Sequence, residues 1–167
     1  MKRMKHLVVL AFVAAAVACG TSSDPPQDLT GTYTVAVTSK ENGCNFQNWS
    51  VGQSTSGIPM VVTQQGSNGI TAVIQGAAGA YLTLILGTAT FTGSVSGPTG
   101  TLTATGTRSG NQGNCAFTIN ANMTITLAVN AINGSIAYAP KTNGGTDCGV
   151  LNACSSRQDL SGSRPPK

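Results

Sequence analysis

Cysteine is the residue whose number and spacing say most about the chemistry of this chain. The 167 residues include five cysteines. They are Cys19, Cys44, Cys115, Cys148 and Cys154. Because five is an odd number, two disulfides formed in an oxidising compartment leave one thiol over. The sequence therefore predicts two disulfides and a separate role for one cysteine.

The acidic and histidine side chains give little support to catalysis. Glu41 and Asp147 fall in predicted loops near cysteines, where they could form a carboxylate pair or simply be solvated loop charges. The one histidine, His6, lies in a segment that we expect to be removed, which would leave no imidazole as a base or metal ligand. No serine-nucleophile motif, phosphate-binding loop or metal-spaced cluster is present. We expect no enzymatic activity, no cofactor and no bound metal.

The start of the chain has the pattern of an export signal. A basic head over residues 2–5 precedes an apolar run over residues 7–18, and this run is too short to span a bilayer. The run ends in Ala-Val-Ala, a small-residue cleavage site directly before Cys19. The sequence therefore predicts a signal peptide over residues 1–18.

Residues 16–19, Ala-Val-Ala-Cys, resemble the lipobox of bacterial lipoproteins, with Ala16 where that family usually has leucine. The resemblance implies that Cys19 carries acyl chains such as palmitate, and two or more chains suffice for stable anchoring. Gly20 stands where many lipoproteins of the inner membrane have aspartate, so the resemblance implies the outer membrane, with the inner membrane or periplasm as alternatives. Ordinary signal-peptidase cleavage would cut the same bond and leave Cys19 without lipid.

Composition divides the rest of the chain into a tether, one domain and a tail. Residues 19–28 are rich in small polar residues and proline and predict a flexible tether. Residues 29–164 have an ordinary length for one domain, and residues 165–167 form the tail. Loss of three basic signal residues lowers the formal charge from +4 to +1, so no electrostatic footprint for nucleic acid remains. The expected partners are a membrane, through the lipid, and either a small apolar ligand or an envelope protein.

Residues 115–127 show the alternation that organises the predicted fold. Their odd-numbered positions are apolar and their even-numbered positions are nearly all polar, which separates the two faces of a β-strand. Similar patterns and turn signals predict seven further strands. The eight predicted strands cover residues 30–38, 58–65, 70–75, 88–96, 101–108, 115–127, 132–139 and 156–164. Residues 77–87 fit either an extra strand or a short helix.

The lengths of the connections indicate how these strands are arranged. Every second connection has about four residues, whereas the intervening connections are longer, and the end of the fold that they form carries Cys44, Cys115, Cys148 and Cys154. In an up-and-down meander, alternate connections lie at opposite ends, so one end is closed by tight turns and the other carries the long loops. We therefore predict an all-β fold, a single antiparallel eight-stranded up-and-down barrel, with a β-sandwich as the alternative.

The two ends of the domain echo each other. Residues 28–32, Asp-Leu-Thr-Gly-Thr, recur as Asp-Leu-Ser-Gly-Ser over residues 159–163, which suggests that the first and last strands pair. Gly31-x-Tyr33 and the late Arg164 resemble the lipocalin and calycin barrels, where a Gly-x-Trp and an arginine stack across a closed base. The resemblance implies a cation–π contact between Tyr33 and Arg164 and a barrel that carries a small apolar ligand. Tyr33 replaces the tryptophan of that pattern.

The four cysteines of the domain allow three disulfide connectivities, and the sequence cannot choose between them. The short spacing of Cys148 and Cys154 favours a local bond. Cys44 would then pair with Cys115, tying the longest loop to the central strand.

Aromatic residues in the predicted loops are the candidate ligand contacts. Phe46 and Trp49 lie in the longest loop, where they would form either a lid or a core plug. Tyr81, Phe117 and Tyr138 are further candidates. The first function class is a carrier of a small apolar molecule held among Phe91, Phe117, Ile119, Met123 and Tyr138. The second is a non-catalytic structural lipoprotein whose loops contact an envelope protein or a surface polymer.

Overall fold

Antiparallel strands dominate the computed structural model, which describes residues 28–166. The strands are β1 (Gly31–Asn42), β2 (Ser54–Gln65), β3 (Gly69–Ile74), β4 (Thr90–Ser96), β5 (Thr99–Ala104), β6 (Gly110–Gln112), β7 (Cys115–Leu127), β8 (Ala131–Thr142) and β9 (Ser156–Ser163). Helix α1 covers Gly76–Leu86, and a 3₁₀ segment covers Thr146–Ala153. The predicted signal peptide, Cys19 and residues 19–27 of the tether lie outside the described residues. Within residues 28–166, no helix is long and apolar enough to cross a membrane.

The sheet closes on itself. Each long strand pairs with its neighbours in the chain, β9 pairs with β1, and β5 pairs with β7. The three-residue strand β6 pairs with the start of β7, beyond the end of β5, so the two short strands share one position in the wall. The predicted fold, a closed all-antiparallel barrel of eight strand positions in up-and-down order, is confirmed.

Alternation along the strands fills the lower half of the barrel. In β7, Ala121, Met123, Ile125 and Leu127 are buried while the residues between them are exposed. The same period on the other strands supplies the largest fully buried side chains, among them Tyr33, Phe91, Met60, Ile70, Leu102 and Ile132. Buried apolar side chains therefore fill the lower half of the barrel, and protein interiors of this kind leave few voids.

The lower end is the closed base that the turn lengths predicted. Turns of two or three residues join β2 to β3, β4 to β5 and β7 to β8. The guanidinium carbon of Arg164 lies 5.4 Å from the centre of the Tyr33 ring, which is the contact that the calycin resemblance implied. Arg164 also donates hydrogen bonds to the carbonyl oxygens of Asp28 (2.8 Å), Val129 (2.9 Å) and Thr30. One buried arginine therefore joins three segments of chain at the base.

The ambiguous segment is a helix, and it shortens a predicted strand. α1 ends at Gly87, whose positive φ of 86° is a backbone conformation that favours glycine. The backbone amides of Thr107 and Arg108 donate to the carbonyl oxygen of Leu86, at 2.7 and 3.3 Å. The chain therefore leaves the sheet after Ala104 to satisfy the end of α1. The predicted strand over residues 101–108 was wrong in its last four residues for this reason.

The favoured disulfide pairing was wrong, because Cys44 is bonded to Cys154 and Cys115 to Cys148. The first bond follows from the register of β1 and β9. Asn42 faces Ser156 across these antiparallel strands, so the residues two positions further out, Cys44 and Cys154, also face each other. Their Cα atoms are 5.0 Å apart. The sequence predicted that these two strands pair, but this disulfide depends on their register, which the sequence did not give.

The second bond follows from the fold of the 3₁₀ segment. This segment turns back over the start of β7, where the Asn114 amide donates to the Asp147 carboxylate (2.8 Å) and the Asp147 amide donates to the Asn114 side chain (3.0 Å). These reciprocal bonds place Cys148 beside Cys115. Both disulfides pack in a second, smaller core at the open end of the barrel, and such bonds are typical of exported proteins.

We expect the two disulfides to contribute unequally to stability. The Cys44–Cys154 bond closes a separation of 110 residues and the Cys115–Cys148 bond one of 33. If restriction of the unfolded chain dominates, replacing both cysteines of a bond by alanine should cost about 4.8 kcal/mol for the first and about 3.7 kcal/mol for the second. Urea unfolding of the two double variants measures the difference, and peptide mapping without reductant verifies the pairing. A larger loss for the shorter loop would contradict this expectation.

Candidate functional site

A cavity of about 420 Å³ lies at the open end of the barrel, above the solid lower half. Its walls are the upper parts of the strands, helix α1 and the loop over residues 43–53. The strands contribute mainly aliphatic side chains, including Val35, Val37, Ile58, Ile74, Ile119 and Ile136. Helix α1 covers one side with Ala78, Tyr81, Leu82 and Ile85. The cavity is therefore enclosed mostly by apolar groups.

Aromatic rings form one corner of the cavity. The ring centres of Phe46 and Trp49 are 6.1 Å apart, and Trp49 meets Tyr138 edge to face at 5.8 Å. The Asn42 side chain holds this loop by accepting from the Phe46 amide (2.8 Å) and donating to the Phe46 carbonyl (3.0 Å). The Cys44–Cys154 bond fixes the same loop to β9. Both rings are thus partly buried, where they line the cavity and pack against the main hydrophobic core.

The indole nitrogen of Trp49 is buried and has no hydrogen-bond partner within the described part of the chain. A buried donor without a partner costs roughly 1–3 kcal/mol relative to an apolar ring. Packing alone therefore gives no reason for tryptophan in place of phenylalanine at this position.

Three polar side chains form a chain of hydrogen bonds across the cavity wall. The Tyr138 hydroxyl donates to the Gln158 side-chain oxygen (2.9 Å), and the Gln158 side-chain nitrogen donates to the Ser39 hydroxyl (3.3 Å). The three residues lie on the adjacent strands β8, β9 and β1, and all line the cavity. Burial raises the pKa of Tyr138 above its ordinary value of 10.0, and the nearby Tyr81 raises that pKa further. The chain of groups is therefore uncharged at neutral pH.

Formal charge is absent from the residues that line the cavity. The nearest charged side chains of β1 and β9 pair on the outer surface, where Lys40 meets Asp159 (3.5 Å) and Arg157 meets Glu41 (3.6 Å). Within residues 28–166, no three His, Cys, Asp or Glu side chains are grouped so that they could hold a metal ion. The arrangement is suited to holding an uncharged molecule.

The structure brings together four of the five candidate ligand contacts. Phe46, Trp49, Tyr81 and Tyr138 all line the cavity. Phe117 does not, because it packs against the disulfide core. Of the other proposed ligand contacts, Ile119 lines the cavity, whereas Phe91 and Met123 are fully buried core residues of the lower half.

Two polar members of the site were not found in the sequence. Ser39 follows Tyr33, Val35 and Val37 at intervals of two, and Gln158 precedes Leu160 in the same way, so the alternation alone would place both side chains on the inner face. Their partnership depends on the register of β1 and β9, in which Ser39 lies directly opposite Gln158.

No family model, no curated protein and no solved structure matches this chain. The fold is compatible with a lipocalin-like barrel, since both are closed antiparallel barrels of eight strands.

We expect Tyr138 to make the domain less stable in alkali. The pKa of Tyr138 in the folded domain is raised above the ordinary value of 10.0. Below pH 10 the hydroxyl is protonated in both the folded and the unfolded chain, so its contribution to the free energy of unfolding is complete there. Above pH 10 the unfolded chain loses this proton before the folded domain does, and the contribution is lost as the pH rises. The free energy of unfolding should fall by up to about 1.4 kcal/mol per pH unit for this group. Urea unfolding between pH 9 and 11 should give a shallower decline for Tyr138→Phe than for the parent protein. Parallel declines would contradict the role given to burial.

Proposed function

We propose that this protein is an exported, lipid-anchored carrier of a small uncharged apolar molecule, held in the cavity at the open end of the barrel. The observation that carries the proposal is the cavity itself, with its volume of about 420 Å³ and its uncharged, mostly apolar lining. Sites for small molecules usually have volumes of roughly 300–1,000 Å³ and a few polar groups on an apolar wall. The cavity meets each of these conditions.

The contrast between the two halves of the barrel supports a binding role. The lower half is filled by buried apolar side chains, as protein interiors normally are. The upper half contains Phe46 and Trp49, rings large enough to occupy much of the space, but hydrogen bonds from Asn42 and the Cys44–Cys154 bond hold their loop at the wall. In a domain that needed only stability, deeper burial of these rings would increase the free energy of unfolding.

The cavity favours binding over catalysis. Ser39 accepts a hydrogen bond from a neutral amide and has no base beside it, and the raised pKa of Tyr138 keeps its phenol protonated. Neither side chain is activated as a nucleophile or as a general base. We therefore propose a non-catalytic protein.

The base of the barrel bears on how an anchor would orient the domain. Asp28 is the first described residue and lies at the closed base, where its carbonyl oxygen accepts from Arg164. Acyl chains on Cys19 would therefore attach the domain by the end opposite the cavity. In this arrangement the cavity opens away from the anchoring membrane, with the outer membrane as the proposed location.

A second candidate function, contact with an envelope protein, rests on the outer face of α1. Leu84 on this helix is 60% exposed, and Val51, in the loop over residues 43–53, is 69% exposed. Helix α1 also contains no charged residue. Such a face is suited to an apolar surface of another molecule. The two functions predict different effects of substitutions on the inner and outer faces of α1.

Filling the cavity should abolish binding of an apolar probe. Ala78 lines the cavity from α1, so Ala78→Phe should weaken binding of the neutral dye N-phenyl-1-naphthylamine at least tenfold, as measured by its fluorescence increase. Ala80 lies on the exposed side of the same helix. Ala80→Phe is therefore the matched control, and it should bind the dye as the parent does.

Thermal melting confirms that both variants are folded before their affinities are compared. Equal binding by the Ala78 variant and the parent would place the dye elsewhere and contradict the proposed site. Absence of dye binding by the parent protein would contradict the carrier function and favour contact through the outer face of α1.

Lipid attachment is tested on the full chain in a bacterial host. We expect metabolic labelling with a radioactive palmitate to mark the parent protein and not Cys19→Ser, because the modified group is the thiol of Cys19. The parent should also fractionate with the outer membrane. Labelling of the serine variant, or a parent protein without label, would contradict the proposed anchor.

A further inference from the structure

We infer that the carried molecule bears an uncharged carbonyl or similar acceptor oxygen, which receives a hydrogen bond from the chain of side chains formed by Tyr138, Gln158 and Ser39. The inference rests on the proposed carrier function and adds the chemical class of the ligand. These three side chains, called the polar strip below, form a hydrogen-bonded set on a wall that is mostly apolar and that also includes Gln47, Asn48 and Thr55.

Counting hydrogens shows what the strip offers to a ligand. The Tyr138 hydroxyl donates to Gln158, and Gln158 donates to Ser39, so the hydrogen of the Ser39 hydroxyl is left without an acceptor among the described residues. If the Gln158 amide turns over, Ser39 and the amide donate in the opposite direction and the Tyr138 hydrogen is left over. In either direction one hydroxyl hydrogen remains available at the cavity, together with the second N–H hydrogen of the Gln158 amide.

The remaining hydroxyl hydrogen is buried, so leaving it without an acceptor is unfavourable. Ser39 is 8% exposed and Tyr138 is 6% exposed, and both line the cavity. A ligand that displaces water from this wall without accepting a hydrogen bond leaves the hydroxyl unpaired in apolar surroundings, which is costly. A ligand with an acceptor oxygen at this position avoids that cost. The strip therefore selects against pure hydrocarbons.

The surroundings also select against an anion. A carboxylate could accept the same hydrogen, but no cationic side chain lines the cavity. Lys40 and Arg157, the cations of β1 and β9, are paired with acidic residues on the outer surface. Burying an unpaired carboxylate costs far more than one hydrogen bond returns. A ketone, ester, aldehyde or amide oxygen fits the wall better than an acid.

Competition for the cavity among three ligands of similar length tests this inference. Undecan-2-one, dodecane and undecanoate would each displace N-phenyl-1-naphthylamine from the parent protein at pH 7.5. The ketone and the hydrocarbon have the same number of heavy atoms. We expect the ketone to bind about three- to tenfold more tightly than dodecane, which corresponds to one neutral hydrogen bond, and undecanoate to bind least well.

A variant that lacks the strip provides the matched comparison. Replacing all three members with apolar groups of similar shape (Ser39→Ala, Tyr138→Phe and Gln158→Leu) leaves no unpaired partner, and such replacements are often nearly neutral for stability. In this variant the preference for the ketone should disappear and dodecane should bind more tightly than the ketone, because the ketone oxygen would be buried without a hydrogen-bond donor. Thr101→Val, which removes a hydroxyl from the exposed face of β5 outside the cavity, should keep the parent's preference.

The outcomes separate the inference from the function on which it rests. Equal binding of ketone and dodecane by the parent would overturn the inference and leave the carrier function standing. Tightest binding of undecanoate would have the same consequence. A ketone preference retained in the triple variant would also overturn it. Failure of every ligand and of the dye to bind would contradict the carrier function itself. If the triple variant does not fold, the comparison of the three ligands on the parent decides.

Discussion

The pairing of β1 with β9 is the contact on which the rest of the structure depends. It closes the barrel and removes the two free edges that an open sheet of this size would expose. Its register also places Cys44 opposite Cys154 and Ser39 opposite Gln158. At the other end of β9, the chain continues into Arg164, which reaches under Tyr33. A slip of one residue would turn every side chain of β9 to the opposite face of the sheet.

Two ends with different constructions result from this closure. At the base, short turns and one buried arginine bring the strands together over a solid core. At the open end, long connections provide a helix, a 3₁₀ segment and two disulfides, and the disulfides tie these connections to the strands. Because the disulfides restrict the unfolded chain, the open end does not need a filled core for its stability. This division of roles leaves space for a cavity in a small domain.

Much of the architecture could be predicted from the sequence, because it depends on local patterns. The alternation over residues 115–127 identified the inner face of the central strand, and the echo between residues 28–32 and 159–163 indicated which strands close the barrel. The alternation of short and long connections identified the end of the barrel that carries the cysteines. The contact between Tyr33 and Arg164 followed from a family resemblance, and the structure contains it.

The remaining features depend on register and on tertiary contacts, which local patterns do not contain. The spacing of Cys148 and Cys154 favoured a local bond, but hydrogen bonds between Asn114 and Asp147 turn the 3₁₀ segment toward β7 instead. The last four residues of the fifth predicted strand are not in the sheet, because the backbone amides of Thr107 and Arg108 instead donate to the end of α1. For the same reason the polar strip could not be foreseen, since Ser39 and Gln158 are far apart in the chain and meet only across the closing pair of strands.

Native mass spectrometry of the full-length protein purified from the membranes of its own cells tests the carrier function most directly. A native mass that exceeds the denatured mass by that of one small neutral compound, and that returns to the denatured value when Ala78 is replaced by Phe, is the expected result. Identical native and denatured masses, in a protein that also takes up none of the compounds in a neutral lipid extract of those cells, would contradict the proposal that the open end holds a ligand.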